Sequence, residues 1–285
     1  MNPPPVSPDE TVVTLSDFAG TLVLVGAGKM GASLLEGWLR LGLGAARTAV
    51  IEPLPSPEIA ALTAQGLKLN PAMDVLDEPA AVVVAVKPQN AAEIMPWLAR
   101  TIAGPTVVLS IMAGKTLGFL AETLPPNTAI VRSMPNMAAS IGRGITVAVP
   151  NERVTPAQRE LAHKLLVATG TVEWVDDESL LDPVTALSGS GPAYVFLLAE
   201  TLAKAGAAAG LPPDLAARLA RVTVAGSGEL LHRSPIDAAT LRQNVTSPGG
   251  TTAAALDVLM AEDGLDRLMR NAVAAATRRS RELAD

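Results

Sequence analysis

Gly26-Ala27-Gly28-Lys29-Met30-Gly31 follows an apolar run, Thr21–Val25, and opens a stretch of helical periodicity. A G-x-G-x-x-G spacing between strand and helix is the fingerprint of dinucleotide binding. Gly26 allows the tight turn, Gly28 lets backbone approach a pyrophosphate, and Gly31 permits close packing of helix on strand. The helix start, with Lys29 and Met30 in its first turn, offers N–H groups and the positive end of a dipole to phosphates. Such a loop is commonly paired with an acid at the end of the second strand, which takes the ribose 2′-hydroxyl. Glu52 stands there. Alone it favours NAD(H), because its charge repels a 2′-phosphate, whereas Ser56 can still meet one. Arg47 is near in sequence, but nothing aims it at a phosphate. The choice between NAD(H) and NADP(H) stays open.

Further candidates sit where other strands end, the side on which ligands bind in open α/β sheets. Val86-Lys87-Pro88 ends the third apolar strand, and Lys87 can contact cofactor or substrate. Ser110 and Ala113-Gly114 close the fourth. Arg132-Ser133-Met134-Pro135-Asn136 ends another, and Asn136 can hydrogen-bond a carboxamide such as that of nicotinamide. Two unusual corners follow. Ser188-Gly189-Ser190-Gly191-Pro192 precedes one helical stretch, and Thr246-Ser247-Pro248-Gly249-Gly250-Thr251-Thr252 precedes another. Each combines glycine backbone, hydroxyls and an outward helix N-terminus, a nest that holds a small carboxylate without Arg or Lys.

Reduction of a ketone calls for a general acid near the oxygen. The helical half offers little: beyond Lys164 its one Lys is Lys204, set mid-helix, His232 has a helix-end context, and Tyr194 is the single tyrosine. An acceptor that is already cationic, such as an iminium carbon, needs no strong acid, because hydride addition neutralises it.

These residues need a scaffold. The chain has 285 residues, 49% apolar, enough for a sizeable core and about two domains. It has no cysteine, which excludes disulfides and thiolate chemistry, and only two histidines, far apart, so a zinc site is not expected. A net charge of -6 with no basic patch argues against nucleic acid. The first 20 residues hold no Lys or Arg and read as neither a signal nor a transit peptide, and no apolar run reaches a membrane span. A cytoplasmic location is expected.

Apolar strands alternate with helical stretches through the first half: strands at Thr21–Val25, Thr48–Pro53, Ala80–Val86 and Thr106–Met112, then TAIVRSMPN and GITVAVP. That alternation predicts an α/β domain, a mostly parallel doubly wound sheet with helices on both faces. A helix over NAAEIMPWLARTI is expected to be interrupted near Pro96, and Thr155-Pro156 reads as cap and first residue of another. From about residue 180 the chain is Ala-rich and helical. The expected division is a flexible tail over 1–19, a dinucleotide-binding domain over 20–178, and an all-α domain over 179–285 whose long apolar helices suggest a dimer interface.

In order and spacing, GAGKMG, VAVKPQ, SIMAG, RSMPNMAASIGRGIT, LDPVTALSGSGPAYVF and VTSPGGTTAAAL resemble Δ1-pyrroline-5-carboxylate reductase, from about Leu22 to Leu283. The TALSGSGPAY and VTSPGGTT segments are the specific ones. The departures are the N-terminal tail and Met137, where the family often has Thr. The resemblance implies a Rossmann domain followed by a helical domain that interlocks with a second subunit, dimers often forming larger rings. It implies reduction of pyrroline-5-carboxylate to L-proline by hydride from a nicotinamide cofactor, commonly NADPH. Ser247, Pro248, Gly249, Gly250 and Thr251 would hold the substrate carboxylate, Thr252 would place its hydroxyl at the ring nitrogen, and Ser190 and Gly191 would line the same pocket. Two alternatives compete with this reading. A β-hydroxyacid-dehydrogenase-type reductase requires a catalytic Lys with a glycine-rich approach and an Asn one turn later, and Lys204 lacks both. A non-catalytic nucleotide-binding regulator requires degraded substrate corners, and both are intact.

Overall fold

The computed structural model describes residues 13–72, 76 and 78–284, so most of the expected tail lies outside the described residues. The described part of that tail is not loose. Leu15 and Phe18 are buried, and the Leu15 N–H donates to the Leu41 carbonyl at 2.7 Å. Apolar side chains at those two positions anchor the segment to the core.

The described residues form two compact units. The first takes the chain up to Gly189 together with Arg279 onward, and the second is Ser190–Arg278. The helix Leu265–Ala284 belongs to both, so the unit boundary does not coincide with either end of the expected helical domain.

The first unit is built on an eight-stranded sheet: β1 (Leu22–Val25), β2 (Thr48–Ile51), β3 (Lys68–Leu69), β4 (Ala81–Val84), β5 (Val107–Ser110), β6 (Ala129–Met134), β7 (Gly144–Pro150) and β8 (Gly170–Trp174). Their order is β3-β2-β1-β4-β5-β6-β7-β8. All pairs are parallel except β6 with β7. The central strands read as unbroken apolar runs because both faces are covered. On one face Leu22, Leu24, Val83 and Leu109 pack against α1 (Lys29–Arg40) and α5 (Pro156–Val167) through Leu34, Trp38 and Leu165. On the other, Val23, Val82, Val84 and Val108 meet α3 (Ala91–Leu98) and α4 (Leu117–Thr123). Trp38 is fully buried, and its indole N–H donates to the Leu165 carbonyl at 2.7 Å.

The short helix α2 (Pro57–Ala61) is capped by Ser56. At Thr155 the structure has the complete capping box: its hydroxyl accepts from the Gln158 N–H, and the Gln158 side chain accepts from the Thr155 N–H. Helix α3 is not interrupted at Pro96 but runs through it to Leu98. Proline forfeits one intrahelical bond near the end of a short helix, which packing of Met95 and Leu98 offsets.

The first unit also holds the short helix α6 (Leu181–Val184), followed by a π-helical turn over Thr185–Gly189. The second unit contains α7 (Gly191–Ala208), α8 (Pro213–Arg233), α9 (Ala238–Asn244), α10 (Thr251–Leu259) and most of α11 (Leu265–Ala284). Gly206 on α7 lets Ala216 of α8 approach; a Cβ there would stand 3.3 Å from the Ala216 Cβ. Little else in this unit is buried, and Phe196, Val222 and Val258 are 61%, 70% and 72% exposed.

Candidate active site

In the first unit the sheet order reverses at β1, which pairs with β2 on one side and β4 on the other. Loops leaving β1 and β4 therefore diverge and open a crevice at the carboxyl ends of the strands. Glycine shapes it. Gly26 has φ +89°, and a Cβ there would lie 2.8 Å from the Ala85 carbonyl. Its N–H donates to the Ile51 carbonyl at 2.8 Å, tying the loop to the end of β2. A Cβ on Gly31 would strike the Gly26 carbonyl oxygen, so only glycine lets α1 begin this close to β1. Gly28 is different. It is exposed, nothing lies within 4 Å of where its Cβ would be, and it caps α1 without any side-chain hydrogen bond. The N–H groups ahead of the first intrahelical bond, from Ala32 to the Gly28 carbonyl, are those that can receive a ligand.

A cleft of about 460 Å³ collects Gly26, Gly28, Glu52, Val86 and Lys87 from the expected cofactor contacts. It adds Leu54, Ala85, Asn90, Glu93 and Ile94, which sequence reasoning did not single out. Lys29, Met30, Ser56, Pro88, Ala113 and Asn136 are not part of its lining. Lys29 and Met30 stand in the first turn of α1, and Pro88 starts a short 3₁₀ turn that ends at Asn90. Exposed Ala113 follows β5. Half-buried Asn136 follows β6, where its amide oxygen accepts from the Ile145 N–H at 3.4 Å. Ser56 is committed to α2: its oxygen accepts from the Ile59 N–H at 3.4 Å, and its hydroxyl binds Glu58, holding that exposed carboxyl below the usual range.

Glu52 is held on all sides. One carboxylate oxygen accepts from the Ala27 N–H at 2.8 Å and the other from the Leu54 N–H at 3.0 Å. Its own N–H donates to the Asn70 side-chain oxygen at 2.8 Å, and the Asn70 amide nitrogen donates to the Glu52 carbonyl at 2.9 Å. Asn70 was invisible to motif reasoning. Its one signal was an Asn-Pro pair after a short apolar stretch, a turn marker, and Asn70 does adopt φ 46°.

In the second unit Ser247-Pro248-Gly249-Gly250 forms a β-turn, closed by the Gly250 N–H donating to the Ser247 carbonyl at 3.0 Å. Proline fixes the second position, and Gly249 takes φ +68° at the third, the pattern of a type II turn. Gly250 then caps α10 in extended conformation with no side-chain bond. The first intrahelical bond runs from the Ala254 N–H to the Gly250 carbonyl. The preceding N–H groups are left to an external acceptor, and Thr252 stands half-buried among them. No titratable side chain belongs to this turn.

The other corner differs from expectation. Ser188 and Gly189 lie not in an open loop but in the π-helical turn Thr185–Gly189. There the Thr185 hydroxyl donates to the Leu181 carbonyl at 2.7 Å and that of Ser188 to the Val184 carbonyl at 3.2 Å. Ser190 has helical backbone before α7 and makes no capping bond, and Gly191 is the first residue of that helix. This is a wide helical turn rather than an anion nest, and π turns gather at functional sites.

The glycine loop, the open Gly28 face, the acid at the end of β2 and the cleft size together fit a dinucleotide. Among the described residues no group of three or more His, Cys, Asp or Glu is placed to hold a metal ion, and no helix is long and apolar enough to cross a membrane.

Comparison with known proteins agrees with this geometry. Residues 178–283 match the profile of pyrroline-5-carboxylate reductase dimerisation, and residues 21–114 match that of NADP oxidoreductase coenzyme F420-dependent. The pyrroline-5-carboxylate reductase of Mycobacterium tuberculosis is 38% identical over 285 residues, covering 92% of this chain and 96% of that protein. The chain belongs to the pyrroline-5-carboxylate reductase family. A reductase of this name from Pseudomonas aeruginosa is also 38% identical, covering 93% of this chain and 97% of that protein. Among solved structures, the pyrroline-5-carboxylate reductase of Coxiella burnetii has a TM-score of 0.85 at 31% identity, covering 93% of this chain and 99% of that one. That of Plasmodium falciparum, solved with NADP bound, has a TM-score of 0.77 at 27% identity, covering 93% and 98%. The family thus accounts for both units, the NAD(P)-binding sheet and the dimerisation helices.

Proposed function

We propose that this chain is a pyrroline-5-carboxylate reductase, reducing the C=N bond of Δ1-pyrroline-5-carboxylate to give L-proline, the last step of proline biosynthesis. The observation that carries the reading is the start of α10: a type II turn and a glycine cap leave helix N–H groups open, with Thr252 beside them and no titratable group in the turn. NAD(P)H, when bound, supplies the hydride that adds to the ring C5.

The chain's own residues position and hold charge. Gly26, Gly28 and Gly31, with Lys29 and Met30, receive the pyrophosphate at the start of α1. Glu52 meets the adenosine ribose, with Ser56 next along the chain. Val86, Lys87, Pro88, Ala113 and Asn136 follow the neighbouring strands toward the nicotinamide end. In the second unit, backbone N–H groups of Ser247, Gly249 and Thr251, shaped by Pro248 and by the turn that Gly250 closes, hold the substrate carboxylate, and Ser190 and Gly191 line its other side. The Thr252 hydroxyl orients the ring nitrogen. That nitrogen enters protonated as an iminium and keeps its proton when the carbon accepts hydride, so the absence of a strong acid is consistent with the chemistry. Orientation of two reactants is then a large part of the rate enhancement.

The same proposal takes residues 20–178 and 179–285 as the functional division, the cytoplasm as the location, and a homodimer as the smallest active form. The test is a steady-state assay of the purified chain with pyrroline-5-carboxylate and each of NADH and NADPH. Cofactor oxidation matched by stoichiometric proline supports it. Tight cofactor binding without turnover overturns it in favour of a regulatory protein.

A further inference from the structure

We infer that this chain selects NADH over NADPH, with Glu52 as the excluding group and Asn70 as the residue that positions it. The inference deepens the reductase reading and rests on it for the identity of the cofactor site.

An acid at a strand end is ordinarily free to swing aside, and then it discriminates weakly. Glu52 is not free. Its N–H and carbonyl are both gripped by the Asn70 amide, and its two carboxylate oxygens by the N–H groups of Ala27 and Leu54. Asn70 is itself fixed, donating its backbone N–H to the Val50 carbonyl at 2.8 Å. Moving the carboxylate would strand the N–H of Ala27, a residue only 7% exposed. Held in this way, each carboxylate oxygen keeps a lone pair for a ribose hydroxyl, a donor. A 2′-phosphate brings only acceptors and negative charge.

Among the described residues nothing on the segment after β2 compensates. The segment Pro53-Leu54-Pro55-Ser56-Pro57-Glu58 has no cation, and its prolines have no N–H to give a phosphate. The Leu54 N–H is spent on Glu52, and the Ser56 hydroxyl on Ile59 and Glu58. Arg47 donates to the Phe18 carbonyl at 2.7 Å, before β2 rather than after it. The cleft adds a further acid, Glu93, and the one cation among its described lining residues, Lys87, follows β4 rather than β2. The Plasmodium falciparum reductase was solved with NADP bound, so the other cofactor is the one to test against.

The test is calorimetric titration of the full-length chain with NADH, NADPH, adenosine 5′-monophosphate and adenosine 2′,5′-bisphosphate, without pyrroline-5-carboxylate. NADH should bind at least about tenfold more tightly than NADPH, and the two adenosine fragments should show the same order. Glu52→Gln should bring the NADH-to-NADPH ratio toward one. Asn70→Gly keeps the positive φ without strain and removes only the grip. It should lower the ratio several-fold, whereas a merely structural role would weaken both cofactors alike. Equal or tighter binding of NADPH to the unmodified chain overturns the inference whatever the variants do. A chain that prefers NADH but does not reduce pyrroline-5-carboxylate leaves it standing and removes the reductase reading instead.

Discussion

Thr252 stands in the first turn of α10, behind a turn whose backbone is fixed by Pro248 and Gly249. If its hydroxyl orients the ring nitrogen, Thr252→Ala should lower kcat by roughly tenfold or more, the worth of one hydrogen bond made at the transition state. Thr252→Ser should recover most of the rate, and cofactor affinity should stay unchanged in both. An unaltered kcat for Thr252→Ala would remove the residue from the mechanism. Gly249→Ala tests the turn. Open space surrounds the position, so the cost is conformational: φ +68° disfavours alanine by about 1 kcal/mol. The expected result is a raised KM for pyrroline-5-carboxylate with unchanged NADH affinity. Residues of this kind were legible because glycine, proline and hydroxyl types announce backbone geometry locally. Asn70 was not, since its partner stands 18 residues away at the end of the neighbouring strand and an asparagine carries no motif.

At the scale of elements, β1, the glycine loop and α1 act together. Gly31 is where the helix meets the loop, and a methyl group there would collide with the Gly26 carbonyl. Gly31→Ala should destabilise the first unit by about 1–3 kcal/mol, as overpacking does. It should also weaken NADH binding roughly tenfold, because the start of α1 is pushed out of register with the loop. Denaturant unfolding and calorimetry would separate the two effects. Intact cofactor affinity would show that loop and helix adapt independently. Elements with unbroken apolar runs, such as AVVV in β4, were plain in the sequence. The edge strands β3 and β8 were not: β3 has two residues, β8 alternates half-buried with exposed positions, and pairing rather than composition makes each a strand. The π turn at Thr185–Gly189 was hidden for a related reason. Its glycine and serines advertise a loop, and back-bonding of Thr185 and Ser188 to earlier carbonyls draws them into a helix.

For the whole molecule, stability and assembly come from different units. Trp38 joins α1 to α5 in the core of the first unit, and Gly37 beside it lets the Ala168 carbonyl approach. Trp38→Ala should cost about 3–5 kcal/mol, read as a lower urea midpoint with an unchanged slope. The second unit buries few of its own apolar side chains, and Phe196, Leu197, Leu230 and Val258 face outward. So large an apolar surface marks an interface, and residues 178–283 match the family's dimerisation profile. Phe196→Asp should shift the chain to monomer in sedimentation velocity and abolish turnover. A monomeric unmodified chain at micromolar concentration would refute the homodimer.

The sequence by itself determined what depends on neighbours along the chain. Buried strands showed as apolar runs, the dinucleotide loop as glycine spacing, and the substrate corner as an unusual density of residues that shape backbone. Those features are local, so the order of residues suffices to specify them. Tertiary structure alone decided what depends on distant partners. It reversed β7 against β6, buried Leu15 and Phe18, and closed four hydrogen bonds around Glu52. A carboxylate at a strand end is the same in sequence whether it swings or is fixed. Only the fold, by bringing Asn70 and Ala27 to it, makes it rigid.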